Sequence, residues 1–505
     1  MATPANLRSR RSEAQLHALA GVEREIRAQD PSSRRKYLRD FTQSFRAYES
    51  LLDPSQWKAA IESADIILVG DYHALPASQR FAATVLEERA QPGDRGIVLG
   101  LETVFARDQH ILDEWWRREI DEQELRQRIR FDLDWGYDWQ PFYALLSTAR
   151  ESAEGVYGLD CMPREDLRKI GARDRHAAHK IAEIRQRHPQ AVIVVLFGES
   201  HLAPPHLPRQ IQAHLPEQKL LTVLQNVDAL YWLAAGERQQ RVEAVRVRDH
   251  VLCVFNSTPL EKYEHYRLHL SRWQRTDDEG PDLAPTIYNL IDGLLRFLEI
   301  DRYSSHNGTQ PKFLVDLLPE IYGSSSNGRL QSLLVRRGLA ETELAEIQQH
   351  IEDRGSIYLP QVNAFYVRDF QMMYAAEEVS RFLHHACRGL PEHGHARDEA
   401  ARDRFYASAI EYALAYFGSR VLYPARPPVQ ESGHRLPNEA SEARKFQSAR
   451  LLGYMMGNVL YDGYVEGKVP RTSLRRLFLT HIEQPGKARE TYTMLAGRLN
   501  AIQRP

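Results

Sequence analysis

The clearest pattern along the chain is a set of short apolar runs in which polar and apolar positions hardly alternate. These runs lie at residues 66–70, 97–101, 156–159, 191–197 and 220–224. Continuous Ile, Val and Leu are typical of strands that are buried on both faces. The longer stretches between the runs have helical patterns, and strands that alternate with helices favour a parallel sheet with helices on its faces.

The pattern changes near both ends of the chain. Residues 12–52 have the pattern of charged amphipathic helix, and beyond about residue 260 helical stretches alternate with loops rich in Gly, Ser and Pro. We therefore expect a helical N-terminal arm at 1–55, an α/β domain at 56–258 and a helical domain at 259–505. The predicted fold class is α/β, with a mainly parallel sheet flanked by helices and a mostly helical C-terminal domain after it.

Composition narrows the classes of function. The chain has 505 residues, enough for about two to four domains. Lys and Arg number 66 against 68 Asp and Glu, a balance that gives no electrostatic reason to expect nucleic-acid binding. No apolar window could span a membrane, and the polar N-terminus lacks the features of a secretory signal. The widely spaced Cys161, Cys253 and Cys387 do not indicate a disulfide framework, so we expect a cytoplasmic protein.

A Gly-x-x-His tetrapeptide follows two of the predicted strands. It reads Gly-Asp-Tyr-His at residues 70–73 and Gly-Glu-Ser-His at residues 198–201. Glycine allows a sharp turn at a strand end, and parallel α/β sheets bind ligands beyond the carboxyl ends of their strands. The sequence therefore predicts that His73 and His201 lie at a ligand-binding edge. Asp71 and Glu199, each two residues earlier, are candidate catalytic carboxylates.

Two more acidic residues end the strands between these motifs, Glu102 after the second run and Asp160 after the third. Imidazoles together with carboxylates suit Zn, Mn, Fe or Co, and a nearby carboxylate could act as general base on a bound water. A His and Glu pair could also activate water without a metal. A purely structural alternative is that these groups cap helices and satisfy loop backbone.

Several segments, taken in order, resemble one known family. They are residues 69–73 with Gln79, residues 100–102, the Trp- and Tyr-rich segment 134–141, residues 158–165 with their Pro-Arg-Glu, the pair at 173–174, and residues 198–201. In this order they resemble the ChaN-like family of the haem-binding uptake, Tiki-type superfamily, over about residues 65–233. The resemblance implies a small-molecule ligand, with haem or a divalent transition metal (Fe, Zn, Mn or Co) as cofactor.

The resemblance also implies roles for individual residues. By matching position, the residues implied as metal or catalytic cluster are His73, Glu102 and His201, and those implied as its supporting shell are Asp160, Arg173 and Asp174. Haem ligation in this family is attributed to a tyrosine, for which Tyr72, Tyr137 and Tyr143 are the candidates.

Relatives in the superfamily include the Tiki metalloproteases and the erythromycin esterases. A hydrolase that acts on an ester, lactone or peptide is therefore the alternative function, and a non-catalytic binding scaffold is a further one.

The chain also departs from the family. Asp71 stands where the family usually has Glu, and the family's haem-uptake members are typically exported. Residues 259–505 have no counterpart in it, and we expect them to cover the cleft, to bind a partner or to pair subunits into a homo-oligomer. A second candidate metal site consists of His384, His385 and Cys387 with His393 and His395. The alternative interpretation of this segment is a solvated loop.

Overall fold

The structure is a computed structural model, and it describes residues 4–29, 36–90, 95–162, 170–236, 242–274, 280–301, 318–388, 399–429, 448–482 and 486–502. The predicted Pro-Arg-Glu at 163–165 and the histidines at 393 and 395 lie outside these residues. Contacts divide the chain into two compact units, Arg27–His269 and a unit made of Met1–Ile26 with Leu270–Pro505. The boundaries 1–55, 56–258 and 259–505 stay a prediction.

The strands are β1 (Ser50–Leu52), β2 (Ile66–Asp71), β3 (Ile97–Phe105), β4 (Gly155–Asp160), β5 (Val192–Gly198), β6 (Leu220–Gln225), β7 (Ala244–Arg248), β8 (Val251–Val254), β9 (Glu320–Gly323), β10 (Ser356–Leu359) and β11 (Ala364–Val367). The α-helices are α1 (Pro4–Gln29), α2 (Lys36–Ser44), α3 (Pro54–Ser63), α4 (Pro76–Ala90), α5 (Gln109–Trp116), α6 (Glu122–Arg128), α7 (Phe131–Asp134), α8 (Trp139–Ser152), α9 (Ile170–Arg187), α10 (Leu207–His214), α11 (Asp228–Ala234), α12 (Pro259–Gln274), α13 (Ala284–Leu298), α14 (Asn327–Arg336), α15 (Glu341–Arg354), α16 (Met372–Arg388), α17 (Glu399–Leu422), α18 (Ala449–Val465), α19 (Arg471–Phe478) and α20 (Lys487–Ile502).

One eight-stranded sheet forms the centre of the unit Arg27–His269. Its order is β1-β7-β8-β6-β2-β5-β3-β4, and all neighbours run parallel except β1 with β7 and β7 with β8. Every residue of β2, β3, β5 and β6 is buried, as continuous apolar runs require. The predicted fold class, a mainly parallel sheet flanked by helices and followed by a mostly helical region, is confirmed.

The sheet has a separate apolar core on each face. Successive side chains of a strand point to opposite faces, so Ile67 and Val69 of β2 join the core under α3, α4, α5 and α8. Ile66 and Leu68 join the core under α2, α9, α10 and α11. Because β2 and β5 are neighbours, with Asp71 paired to Gly198, the two Gly-x-x-His motifs leave the sheet side by side.

The second unit is mostly helical, and α17 and α18 approach each other closely in it. A Cβ on Gly457 would lie 2.5 Å from the carbonyl oxygen of Ala413, so only glycine allows this spacing. The unit also contains a small sheet, β10-β11-β9, which the sequence did not predict because strands of four residues show too little periodicity. Among the described residues, no helix is both long enough and apolar enough to cross a membrane.

Candidate functional site

The candidate site lies at the carboxyl ends of β2, β3, β4 and β5. Asp71 ends β2, Glu102 lies in β3, Asp160 ends β4, and a 3-10 turn after β5 contains His201. All four side chains are buried. The fold therefore brings together acidic and imidazole side chains from four strands that are far apart in the sequence.

Glu102 is the centre of this cluster. One carboxylate oxygen, Oε1, accepts a hydrogen bond from Arg173 Nη2 at 2.5 Å, and Oε2 accepts one from the backbone N–H of Gly198 at 2.5 Å. The Nε2 atom of His201 lies 3.7 Å from Oε1, and that of His73 lies 3.9 Å from Oε2. Burial raises the pKa of Glu102, but Arg173 and then the two histidines outweigh it and lower the pKa to about 2. Glu102 is therefore ionised at neutral pH.

Arg173 joins Glu102 to a second buried carboxylate. Its Nε and Nη2 atoms donate to the two oxygens of Asp160 at 2.8 and 2.9 Å, the paired geometry that a guanidinium offers a carboxylate. Burial lowers the pKa of Arg173, but Glu102 and Asp160 outweigh it and raise the pKa above its ordinary value. One cation thus neutralises part of the charge of two buried carboxylates.

An aspartate holds the Nδ1 atom of each histidine. Asp71 Oδ2 lies 2.8 Å from Nδ1 of His73, and Asp174 Oδ1 lies 2.5 Å from Nδ1 of His201. Gln79 donates to the other oxygen of Asp71. A carboxylate on Nδ1 orients the ring and favours the tautomer in which Nε2 is the basic atom. Both imidazoles therefore turn their Nε2 atoms toward Glu102.

The two histidines differ in their access to solvent. The side chain of His73 is 22% exposed, whereas that of His201 is 4% exposed. The His73 ring lies 4.4 Å from the ring of Trp135 and 5.2 Å from that of Tyr137, and Tyr137 stacks on His269 at 4.0 Å. His73 is therefore the more accessible imidazole, and aromatic rings border it.

Glu199 and Tyr72 form a neighbouring group around a buried lysine. Lys262 Nζ donates to Glu199 Oε1 at 2.9 Å and lies 4.5 Å from the centre of the Tyr72 ring. Burial raises the pKa of Glu199, which Lys262 partly offsets, and burial raises the pKa of Tyr72 well above its ordinary value. Sequence reasoning missed Lys262, which lies on α12, 63 residues after its partner Glu199. The catalytic role of Glu199 and Asp71 stays a prediction.

Tyr37 is a second residue that sequence reasoning missed. It extends from α2, and its hydroxyl donates to the oxygen Oδ2 of Asp174. Its ring stacks on His206 at 3.7 Å and meets the His201 ring edge-on at 5.5 Å. Burial and then Asp174 raise the pKa of Tyr37. No motif marks this tyrosine, because α2 has only the general pattern of a charged amphipathic helix.

The remaining candidates lie elsewhere or have other partners. Tyr143 of α8 is partly buried and packs on Trp139 and Trp115 against the core on that face of the sheet. Within the described part of the chain, no group of three or more His, Cys, Asp or Glu side chains is arranged to hold a metal ion. At Glu102, Arg173 and the backbone N–H of Gly198 each donate to one of the two carboxylate oxygens.

Comparison with known proteins supports the resemblance. Residues 57–190 match the family model described as haem-binding uptake, Tiki superfamily, ChaN, which confirms the resemblance predicted from the motifs. The matched range contains His73, Glu102 and Arg173 and ends before His201. No curated protein matches the chain. A solved structure described as cofacial heme binding to ChaN of Campylobacter jejuni is 14% identical, with a TM-score of 0.30, and the alignment covers 35% of this chain and 87% of that one.

Proposed function

We propose that this protein binds haem at the carboxyl edge of the sheet in the unit Arg27–His269, with His73 as the axial ligand. The observation that carries the proposal is the position of His73, a partly exposed imidazole held by Asp71 and bordered by Trp135 and Tyr137. Haem sites combine an axial donor with apolar surroundings, and the aromatic rings of Trp135 and Tyr137 beside His73 support such a site. The family description of residues 57–190 supports the same ligand.

The surrounding residues favour His73 over Tyr72 as the axial ligand. A tyrosine coordinates iron as phenolate, and burial raises the pKa of Tyr72, which opposes the loss of its proton. His73 would coordinate as a neutral imidazole through Nε2, the atom that also faces Glu102 Oε2 at 3.9 Å, and Asp71 would hold the proton on Nδ1 and so make Nε2 a better donor. Trp135 and Tyr137 would exclude water from one side of the ligand. Bound haem would supply an iron centre whose reactivity depends on that axial donor.

A haemin titration of the haem-free full-length protein tests this proposal. We expect a shifted Soret band for the wild type and a loss of at least about tenfold in affinity for His73→Ala, since removal of a ligand removes its bond. His179→Ala, which changes a 62% exposed histidine on α9, is the matched control and is expected to behave as wild type. Tyr72→Phe is also expected to leave the band unchanged.

Each outcome of the titration has a clear meaning. A wild-type protein that shifts no Soret band is not a haem protein. A His73→Ala variant with the wild-type spectrum and affinity would show that another residue coordinates the iron. Loss of the band in Tyr72→Phe would instead favour a tyrosine ligand.

The paired Asp–His arrangement favours a hydrolase as second candidate. His73 and His201 each have an aspartate on Nδ1 and present Nε2 to the ionised Glu102, an arrangement that suits a general base. A panel of ester, lactone and peptide substrates would test it, with elemental analysis for Fe, Zn, Mn and Co. Turnover by the wild type that Glu102→Gln abolishes would support a hydrolase, and no turnover on any class would dismiss it for these substrates. The cytoplasmic location and a homo-oligomer formed through the C-terminal helices stay predictions.

A further inference from the structure

A cavity of about 370 Å³ opens at the opposite edge of the sheet in the unit Arg27–His269. Its walls are α3, the start of β6 and the β7–β8 hairpin. The helix contributes only small or polar side chains there, namely Gln56, Ala59, Ala60, Ser63 and Ala64. A helix that packs on a sheet usually fills this space with larger apolar groups, so the small residues of α3 leave room for a ligand.

The cavity has an apolar floor and a basic rim. Leu220, Leu221 and Leu252 form the floor, and all three are buried. The residues of the rim are Lys219, Arg246 and His250, and no Asp or Glu is among the residues that line the cavity. Two cations and one imidazole around an apolar floor would attract a negative group and leave its apolar part on the leucines.

The backbone of the sheet holds these basic residues in place. The backbone N–H of Lys219 donates to Asp65 Oδ2 at 2.9 Å, and the carbonyl of His250 accepts from the N–H of Thr222 at 2.9 Å. Arg246 lies within β7, opposite Leu252 of β8. Asp65, which accepts the hydrogen bond from the Lys219 backbone, has its other oxygen 2.9 Å from Arg95 and does not line the cavity. The sheet therefore fixes the backbone of the rim residues beside the cavity.

We propose that this cavity binds a small amphipathic carboxylate, such as a medium-chain fatty acid. The carboxylate would contact Arg246 and Lys219, and the aliphatic chain would lie on the leucines and on the alanines of α3. A volume of about 370 Å³ is near the lower end of the range of small-molecule sites, roughly 300–1,000 Å³. The site goes beyond the proposed haem function, because it occupies the other edge of the sheet and uses none of the same residues.

Isothermal titration calorimetry with octanoate on the haem-free full-length protein tests the proposal. We expect octanoate to bind and octanol, which has the same chain without the charge, to bind about tenfold more weakly. The double variant Lys219→Gln, Arg246→Gln is expected to lose about tenfold in octanoate affinity. Arg209→Gln, which removes an exposed cation from α10, is the matched control and is expected to bind as wild type.

A variant that fills the cavity provides an independent test. Ala60→Leu places a larger side chain in the cavity from α3 and leaves the rim charges unchanged, so we expect it to abolish octanoate binding. The proposal is overturned if the wild type does not bind octanoate, if octanol binds equally well, or if the double variant binds as wild type. Circular dichroism checks that each variant folds, and the rim variants decide the question if Ala60→Leu does not fold.

Discussion

Replacement of Arg173 by Met is the sharpest test of the buried charge network. The substitution keeps most of the side-chain volume but removes the cation that both Glu102 and Asp160 contact. The pKa of Glu102 falls from an ordinary value of 4.5 to about 2 on folding. At 1.36 kcal/mol for each pKa unit, this shift alone contributes about 3 kcal/mol at neutral pH. Removing one partner of a buried ion pair costs about 3–5 kcal/mol, and we expect a loss in that range at pH 7.

The dependence on pH should differ between the two proteins. In the wild type, the lowered pKa of Glu102 gives stability that is present above pH 4.5 and is lost as the pH falls toward 2. In Arg173→Met, burial acts on Glu102 without the opposing cation, so we expect the pKa of Glu102 to rise above the ordinary range. The variant should then become less stable as the pH increases from 5 to 8. Over this range, Glu102 adds no pH dependence to the stability of the wild type.

Urea unfolding followed by tryptophan fluorescence measures both effects. Every tryptophan except Trp273 lies within Arg27–His269, so the signal reports the unit that contains the site. Arg185→Met is the matched control, because Arg185 is also buried on α9 but donates to backbone carbonyls, including that of Ala191 at 2.6 Å. We expect Arg185→Met to lose about 1–3 kcal/mol of unfolding free energy, without the added pH dependence between pH 5 and pH 8. A loss below about 1 kcal/mol for Arg173→Met, or a loss equal at pH 5 and pH 8, would refute the reasoning.

Two further predictions concern packing and a second buried ion pair. Gly457→Ala places a Cβ 2.5 Å from the carbonyl oxygen of Ala413 and should cost about 1–3 kcal/mol in thermal melts. Its control Gly497→Ala, at a helical glycine with nothing within 4 Å, should gain up to about 1 kcal/mol, and equal effects would contradict the close-packing account. Lys262→Met removes the cation that pairs with the largely buried Glu199 and should cost about 3–5 kcal/mol in urea unfolding. The double variant with Glu199→Gln should recover most of this loss, and a double variant no more stable than the single one would argue against the pair.

Much of the central sheet could be predicted because its strands are buried on both faces. The apolar runs predicted β2, β3, β5 and β6 to within a few residues, since burial on both faces requires every position to be apolar. The three residues of β1 and the four residues of β9 carry no such pattern and were missed. The order of the strands was also beyond prediction, because β5 lies between β2 and β3 through contacts distant in the sequence.

The candidate site likewise contains residues that could be predicted from the sequence and contacts that could not. His73, Glu102 and His201 could be predicted because each follows or ends an apolar run, and parallel strands end at one edge. Their pairing partners were harder to predict. Arg173 contacts Glu102 across 71 residues and Asp160 across 13 residues, and no local pattern states that one guanidinium serves both.

The sequence by itself determined the parallel sheet and the polar residues at its carboxyl edge, because burial of a strand and the turn after it are local properties. Only the tertiary structure decided how the charges pair. Tyr37 reaches Asp174 across 137 residues and Lys262 reaches Glu199 across 63, and such contacts depend on how helices pack around the sheet. The accessibility of His73 is decided in the same way, since Trp135 and Tyr137 reach it only through the fold.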